Sequence, residues 1–373
     1  MISNLDDYPI HQIAEPMRHA GSSDRNFYDR YYFNGFSLDG RCMFIAGLGV
    51  YPNLGVMDAF LLVMLDGQHR VVRASRALDV ADRLHPSVGP LRIEVIEPLE
   101  RVRLVCDDNE WGIALDAVWN GAVPVLEEPR HYIREHGRVI FDSVRFAQTG
   151  DWTGRLSVRG TSFELTPRQW WGTRDRSWGI RPVGESEPAG IRAEVPFSWF
   201  WVYTPIRFAD HSILVMIQER QDGSRVLEEA IRVWPESTGR PNEWLGRPAH
   251  DLSFAPGTRR ATGGTIRLTE PDGTPIAIAV EPLVPVHVGI GTGYGYDSEW
   301  RHGMWQGPLK VEGFELDTTT PDGAARLFGI VDASARFSYE GNVGYGLFET
   351  MVIGPHDQYG FTDLLGGYGA PAG

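Results

Sequence analysis

The feature that most constrains the fold of this chain is a short alternating apolar run that ends at an Asp-Gly pair. Glycine accepts a positive φ and aspartate tolerates one, so Asp-Gly between two apolar runs favours a hairpin turn. The pattern therefore predicts antiparallel strands joined by tight turns. The five pairs are Asp39-Gly40, Asp66-Gly67, Asp222-Gly223, Asp272-Gly273 and Asp322-Gly323.

The apolar segments around these turns are expected to be strands. With 43 glycines and 25 prolines as punctuation, they predict a mainly β protein. Sustained alternation of strands with helices is missing from the sequence, which disfavours a doubly wound nucleotide-binding fold. The expected strands include Ala59–Leu65, Leu91–Ile96, Arg101–Cys106, Ile113–Trp119, Ile213–Glu219, Val226–Trp234, Thr265–Leu268, Ile276–Val280 and Tyr345–Val352.

Helical signals are few. In Ser75–Leu84 apolar residues recur at helical spacing before Pro86, so this segment is predicted to be a helix. A second helix is expected to begin near Asp24–Asp29. The glycine-rich run Gly289–Gly295 lacks the context of a dinucleotide-binding loop, and we expect a bulged strand or a close backbone approach there.

A polar linker divides the chain into two β-rich halves of similar length. At 373 residues the chain is expected to form about two domains, with the boundary in Pro182–Ala193. We predict an N-terminal domain over 1–185 and a C-terminal domain over 186–362, each an antiparallel barrel or sandwich, packed together. Residues 363–373 have little to bury and are expected to form a disordered tail.

The composition narrows the class of partner. The formal net charge is -14, and Lys310 is the only lysine. A phosphate-binding surface needs clustered Lys and Arg, so general nucleic-acid binding is not expected. No apolar run approaches the roughly 20 residues of a transmembrane helix, and the acidic N-terminal segment is unlike a signal peptide.

The cysteine and histidine patterns point to a reduced protein without a metal. Cys42 and Cys106 are too few for a disulfide framework, so a cytoplasmic protein with free thiols is expected, with one disulfide between them as the alternative. The 11 histidines are scattered, and neither H-E-x-x-H nor C-x-x-C occurs. No metal or cofactor is therefore expected. The oligomeric state is left open, with a homodimer as one option.

The segment Trp170–Pro182 contains the strongest candidate for chemistry, because it places one carboxylate among three arginines and three tryptophans. If the segment is a strand, Asp175 lies on the opposite face from Arg174 and Arg176. Among apolar groups its pKa would rise, as a general acid requires. The alternative is a buried ion pair between Asp175 and an arginine of another strand. Trp171, Thr173 and Ser177 would share the face of Asp175; Trp170 and Trp178 would lie opposite.

Two further carboxylates interrupt apolar strands. Glu349 shares a face with Tyr345 in the segment 344–351, and it either pairs with a buried arginine or faces a cavity. Asp58 lies in the run 49–60, where it is either a second buried acid or an acceptor for backbone N–H groups. In the same run Tyr51 and Asn53 could bond a ligand, although an asparagine before Leu-Gly is typical of a turn.

Aromatic density continues around Trp199, Trp201 and Tyr203. Both faces of this segment are apolar or amphipathic, which predicts a strand covered on both sides. The segment is expected to be either core or the wall of a cavity for an apolar ligand. Tyr31 and Tyr32 could add hydroxyls to such a cavity.

The run Trp171–Gly179 resembles the Asp-x-x-Trp-Gly signature of the carotenoid 1,2-hydratase and AttH-like superfamily. The resemblance implies two lipocalin-like β-barrel domains. It also implies that the signature aspartate, here Asp175, protonates an alkene with Trp178 beside it. Arg174 and Arg176 flank this aspartate where the hydratases have histidine-like neighbours.

Together the pattern and the resemblance predict an acid–base enzyme that protonates a C=C bond or an enol of an isoprenoid, steroid-like or polyketide substrate. Hydration, cyclisation and isomerisation remain open. The alternatives are a non-catalytic carrier of a hydrophobic molecule, and a chaperone that only shapes a reactive polyene. The candidate catalytic residues are Asp175, Tyr203, Glu349 and Asp58. The candidate binding residues are Trp171, Trp178, Arg174, Arg176, Tyr31, Tyr51, Asn53, Trp199, Trp201 and Tyr345.

Overall fold

The computed structural model describes residues 4–78, 83–135, 137–187, 198–294 and 297–368. These residues form 23 strands, numbered in chain order, in two antiparallel sheets. The first sheet contains β1 Phe27–Ser37, β2 Cys42–Tyr51, β3 Val56–Leu65, β4 Gln68–Ala77, β5 Ser87–Val88, β6 Leu91–Glu97, β7 Arg101–Cys106, β8 Ile113–Gly121, β9 Leu126–Glu127, β10 His131–Glu135, β11 Arg138–Val158, β12 Thr161–Leu165, β13 Trp170–Ile180 and β21 Leu309–Asp317.

The second sheet contains β14 Trp199–Arg207, β15 Ser212–Glu219, β16 Arg225–Val233, β17 Glu243–Trp244, β18 Ala249–Phe254, β19 Ala261–Thr269, β20 Pro275–His287, β22 Val331–Tyr339 and β23 Asn342–Ile353. Helical structure in the described part of the chain is confined to α1, Pro321–Ala324, and to three short 3-10 turns. Those turns are Asn4–Asp7, Glu236–Thr238 and Asp357–Tyr359.

The first sheet is a nearly closed barrel. Its strands follow the order β21-β4-β3-β2-β1-β13-β11-β8-β7-β6-β5, and the far strands β5 and β6 return to contact β3 and β4. The second sheet, ordered β17-β16-β15-β14-β23-β22-β20-β19-β18, forms a half-barrel. Each sheet curves around its own apolar core, so the expected mainly β fold with two lipocalin-like units is confirmed.

A third apolar core joins the two sheets. The alternating side chains of β1 to β4 that point away from the first core, such as Tyr32 and Phe60, pack against Trp201 and Tyr203 of β14. Strands between two cores are apolar on both faces, which explains why all ten positions of β3 are buried. The prediction that the segment around Trp199–Tyr203 is covered on both sides is confirmed, since Phe200 packs into the second core.

The strand predictions are confirmed and the two helix predictions are wrong. Residues 75–77 belong to β4, which hydrogen-bonds to β3 on one side and β21 on the other. Pairing with two neighbouring strands overrides the helical spacing of the local sequence. Residues 79–82 of the predicted helix lie outside the described residues. Asp24 begins a turn that leads into β1 at Phe27. In the glycine-rich run the backbone approaches a side chain closely at Gly291 (φ 76°), where a Cβ would lie 3.0 Å from Phe314.

Four of the five Asp-Gly pairs lie in strand connections. Asp66 and Gly67, with φ of 51° and 75°, form the two-residue turn between β3 and β4, as a hairpin turn of this type requires. The prediction is wrong for Asp322-Gly323, which lies in α1. There the Thr320 hydroxyl accepts from the Gly323 N–H and caps the helix, so the local capping bond replaces a hairpin.

The chain does not divide simply at the expected linker. Most of the second half forms the second sheet, but β21 pairs with β4 at the edge of the first sheet. The tail is ordered up to Tyr368, whose backbone N–H donates to Thr258 and whose carbonyl accepts from Gly257, so the expected disorder does not hold for 363–368. Residues 369–373 lie outside the described residues. Cys42 and Cys106 are free and buried.

Membrane-spanning helices are not found in the described ranges, where no helix has the length and apolar character to cross a bilayer.

Candidate active site

A cavity of about 1010 Å³ lies between the two sheets. Its walls come from β1, β10, β11 and β13 of the first sheet, from β14, β22 and β23 of the second, and from the segment after β20. Residues 182–187 of the predicted linker also line it. Its apolar wall is formed by Tyr28, Val139, Ile140, Phe141, Val183, Trp199, Trp201, Leu227, Val288, Tyr294, Ile330, Met351 and Ile353.

Asp175 faces this cavity from the middle of β13. Its cross-strand partners are Tyr32 on β1 and Ala147 on β11. Among the described residues, none forms a hydrogen bond or salt bridge with its carboxyl group. Burial raises the pKa of Asp175 to about 7, and the nearby Arg145 opposes that rise. A carboxyl group in this environment holds a proton near neutral pH and can donate it to a ligand.

The arginines next to Asp175 in sequence lie on the other face of β13, as strand alternation predicts. Arg174 Nε donates to Gln148 at 2.7 Å, and Arg176 Nη1 donates to Asp29 at 2.7 Å. Ser177, two residues after Asp175, lines the cavity with it. The alternative of a buried ion pair with an arginine of another strand is not found among the described residues, where the nearby Arg145 of β11 pairs with Glu128 instead.

A pair of carboxyl groups stands on the second-sheet side of the cavity. Asp332 on β22 and Glu349 on β23 are cross-strand partners. Tyr32 Oη donates to Asp332 Oδ2 at 2.5 Å, and Trp201 Nε1 donates to Glu349 Oε1 at 2.5 Å. Burial raises the pKa of both groups, and the charge of Glu349 raises that of Asp332 further.

Arg145 on β11 is the cation nearest these acids. It forms a salt bridge with Glu128, which also accepts from Tyr203 Oη at 2.8 Å. The guanidinium lies 4.4 Å from the Tyr203 ring centroid and 5.7 Å from that of Trp201. Glu128 thus holds both Tyr203 and Arg145; Glu128 and Arg145 line the cavity, whereas Tyr203 does not.

Of the candidate catalytic and binding residues, the structure brings together four on the cavity wall. They are Asp175, Glu349, Trp199 and Trp201. Tyr203 lies directly behind them.

Asp58 and Tyr51 form a separate buried cluster with Arg30. Asp58 Oδ1 lies 3.2 Å from Arg30 Nη1 and accepts from Tyr51 Oη at 3.2 Å, and Asp58 Oδ2 accepts from the Gly303 N–H at 2.6 Å. Asp58 does not line the cavity, and its described hydrogen bonds and salt bridge all join parts of the protein to one another.

The remaining predicted binding residues lie elsewhere. Tyr31 packs under Arg176 at 3.9 Å, on the face of β1 that contacts the first core. Asn53 sits in the turn after β2, where its side-chain amide donates to two backbone carbonyls. Trp171 and Tyr345 pack edge to face at 5.9 Å, and Trp178 is 39% exposed.

Three residues of the site were not among the sequence predictions: Glu128, Arg145 and Asp332. Asp332 could have been found from the sequence, because it interrupts the apolar run Ile330–Ala333 as Glu349 interrupts its own apolar strand. Tyr32, which lines the cavity, differs from Tyr31 only by the face of β1 on which it lies. Glu128 and Arg145 carry no local signal, since their roles depend on a contact between different strands.

Metal chemistry has no candidate site in the described ranges, where no group of three or more His, Cys, Asp or Glu side chains is arranged to hold an ion.

The fold and the cavity define the class: a protein of two lipocalin-like β units with an acid-bearing cavity between its sheets. The chain belongs to the family of unknown function DUF8625, whose model matches residues 2–362. No curated protein matches the sequence at a significant level.

Two solved structures share the fold. One is a Nitrosomonas europaea protein assigned as an AttH, with a TM-score of 0.55 and 11% identity over 92% of this chain and 98% of that chain. The other is kievitone hydratase from Nectria haematococca, with a TM-score of 0.51 and 11% identity over 87% of this chain and 88% of that chain. The expected resemblance to the AttH-like superfamily is confirmed at the level of the fold.

Proposed function

We propose that this protein is a hydratase-like acid–base enzyme that protonates a C=C bond or an enol of a hydrophobic substrate. The observation that carries the proposal is the position of Asp175, whose carboxyl group faces a largely apolar cavity without a described hydrogen-bond partner and has a pKa near 7. The fold shared with kievitone hydratase supports the same reaction class.

In the proposed first step, the O–H bond of Asp175 breaks and a C–H bond forms at one alkene carbon. The π electrons supply the new bond, so the other carbon becomes a cation and Asp175 becomes a carboxylate. A negative charge on Asp332 or Glu349 stabilises this cation. Such stabilisation is strong where water is excluded.

The cation then has three fates. Water can add to it, an internal hydroxyl or alkene can close a ring, or a neighbouring C–H can lose its proton. In each case one proton is released, and either Asp175 or the Asp332–Glu349 pair accepts it. The cavity volume of about 1010 Å³ suits a substrate of isoprenoid, steroid-like or polyketide size.

Deuterium incorporation tests this proposal directly. Wild-type protein is incubated in D2O with a panel of linear and cyclic isoprenoids and polyketide enols, and the products are analysed by mass spectrometry. Every proton-initiated route leaves deuterium on carbon. We expect incorporation with wild type and its loss in Asp175→Asn, which removes the proton and keeps the shape.

The matched control is Asp116→Asn, since Asp116 is an exposed aspartate of the first sheet paired with Arg103. It should incorporate deuterium at the wild-type rate. Full incorporation by Asp175→Asn would exclude Asp175 as the acid. Tight binding of several compounds without any incorporation would instead indicate a carrier.

A further inference from the structure

Arg181, which directly follows β13, differs from most of the other arginines of the cavity. Its guanidinium lies over the Tyr28 ring at 4.4 Å and 6.0 Å from the Tyr294 ring centroid. Within the described part of the chain it has no carboxylate partner, although it lines the cavity. Of the five other cavity arginines, four are paired with a carboxylate: Arg25 and Arg138 with Glu187, Arg30 with Asp58, and Arg145 with Glu128. The fifth, Arg301, donates to the Ser186 hydroxyl and to the Asp297 carbonyl oxygen.

His302 orients this guanidinium. His302 Nε2 lies 3.1 Å from the Thr292 carbonyl oxygen, which can only accept, so Nε2 carries the proton and Nδ1 is left as an acceptor. Arg181 Nη2 lies 3.4 Å from that Nδ1. Burial and the two nearby arginines lower the pKa of His302 well below its usual value, so the ring is neutral and suited to this role.

The contacts of Arg181 leave its most specific binding surface open. Within the described part of the chain, the side-chain hydrogen bond of Arg181 goes to His302 Nδ1. A guanidinium carries five N–H donors. A planar guanidinium with free N–H groups matches the geometry of a carboxylate, to which it can donate two parallel hydrogen bonds.

We propose that Arg181 anchors the carboxylate, or an equivalent planar oxyanion such as an enolate, of an otherwise hydrophobic ligand. The ligand class is therefore a hydrophobic acid, with its anionic end between Tyr28 and His302 and its apolar part along the wall formed by Trp199 and Trp201. This inference deepens the proposed function and rests on it only for the reaction at Asp175. Binding of the carboxylate by Arg181 does not depend on that reaction.

The position of the anchor also links binding to acid catalysis. The charge of Arg181 is close enough to lower the pKa of Asp175, although other groups outweigh it. A bound carboxylate offsets that charge. An anionic substrate would therefore help to keep Asp175 protonated, whereas a neutral analogue would not.

Isothermal titration with farnesoate and its methyl ester tests the anchor, because the two probes share one hydrocarbon chain and differ in charge. Wild type should bind farnesoate about ten- to a hundredfold more tightly than the ester, as expected for charge-assisted hydrogen bonds. Arg181→Met keeps the packing volume and should lose this preference, while its affinity for the ester stays within about twofold. Arg247→Met, at an exposed arginine paired with Glu228, should retain the preference.

Three results would overturn the assignment: equal affinity of wild type for acid and ester, a preference that survives in Arg181→Met, or binding of neither probe. The wild-type comparison decides the matter even if Arg181→Met does not fold. Because titration needs no turnover, failure here leaves the deuterium assay at Asp175 unaffected. Conversely, a carboxylate preference without deuterium incorporation would support the anchor and contradict the proposed reaction.

Discussion

Asp332 and Glu349 lie directly opposite each other on adjacent antiparallel strands. Burial raises the pKa of both carboxyl groups. Tyr32 and Trp201 each donate to one member of the pair. Asp175, the cross-strand partner of Tyr32, faces the same cavity, so a proton donor and a proton acceptor line one space.

The free energy of unfolding of Asp175→Asn, relative to that of wild type, should increase as the pH rises. The folded pKa of Asp175 is raised from 3.8 to about 7, so the folded state favours the protonated form. Wild type therefore loses stability as pH rises from about 4 to 7, by up to about 4 kcal/mol, and asparagine does not titrate. Urea unfolding at pH 5 and pH 8 measures the difference. An equal difference at both pH values would contradict the raised pKa.

The same shift predicts the pH dependence of catalysis. If Asp175 acts as the acid, kcat/KM is constant below pH 7 and falls about tenfold per pH unit above it, because the protonated fraction falls by that factor. A rate profile from pH 5 to 9 measures this. A rate that rises across pH 7 would show that the ionised form is the active one.

Tyr32→Phe should destabilise the protein by about 1–3 kcal/mol, because it removes the hydrogen bond to Asp332 from a buried site. Tyr31→Phe is the matched control: Tyr31 lies on the other face of the same strand, and phenylalanine keeps the ring under Arg176. Its effect should be within about 0.5 kcal/mol. Denaturant melts of the two variants compare them, and equal losses would contradict a special role for Tyr32.

Asp58→Asn should lower the free energy of unfolding by about 3–5 kcal/mol, because it leaves Arg30 as an uncompensated buried charge. Asp66→Asn, in the exposed turn between β3 and β4, is the control, since asparagine also tolerates its positive φ. Equilibrium unfolding measures both. A loss below about 1 kcal/mol for Asp58→Asn would show that this ion pair is not a structural requirement.

Glu219→Gln should destabilise the second sheet at neutral pH. Glu219 accepts from His250 at 3.0 Å and from His356 at 2.8 Å, and these bonds lower the pKa of Glu219 to about 2 against the opposing effect of burial. The resulting stability, up to about 3 kcal/mol, is present above pH 4.5 and is lost as pH falls towards 2.

The stability difference between wild type and Glu219→Gln should therefore shrink on acidification, which thermal melts at pH 7 and pH 3 would detect. Glu236→Gln, at an exposed position in a 3-10 turn, should show no difference at either pH. A pH-independent difference for Glu219→Gln would mean that its carboxylate charge does not contribute.

Local chemistry in the sequence was enough to predict the antiparallel strands and the face of β13 that carries Asp175. Alternation has a period of two, so a strand assignment alone separates Asp175 from Arg174 and Arg176. The same reasoning failed for residues 75–77, where pairing of β4 with β3 and β21 outweighed a helical spacing. It also failed for Asp322-Gly323, where a side-chain cap formed a helix.

Only the tertiary structure decided which groups surround Asp175. Tyr32 rather than Tyr31 meets it because the register of β1 against β13 sets that pairing. Asp332 and Glu349 reach the cavity because two separate sheets pack through a shared apolar core. Register and sheet packing depend on contacts between residues far apart in sequence. A local pattern therefore predicts the candidate acid, whereas its pKa and its partners depend on how the two sheets meet.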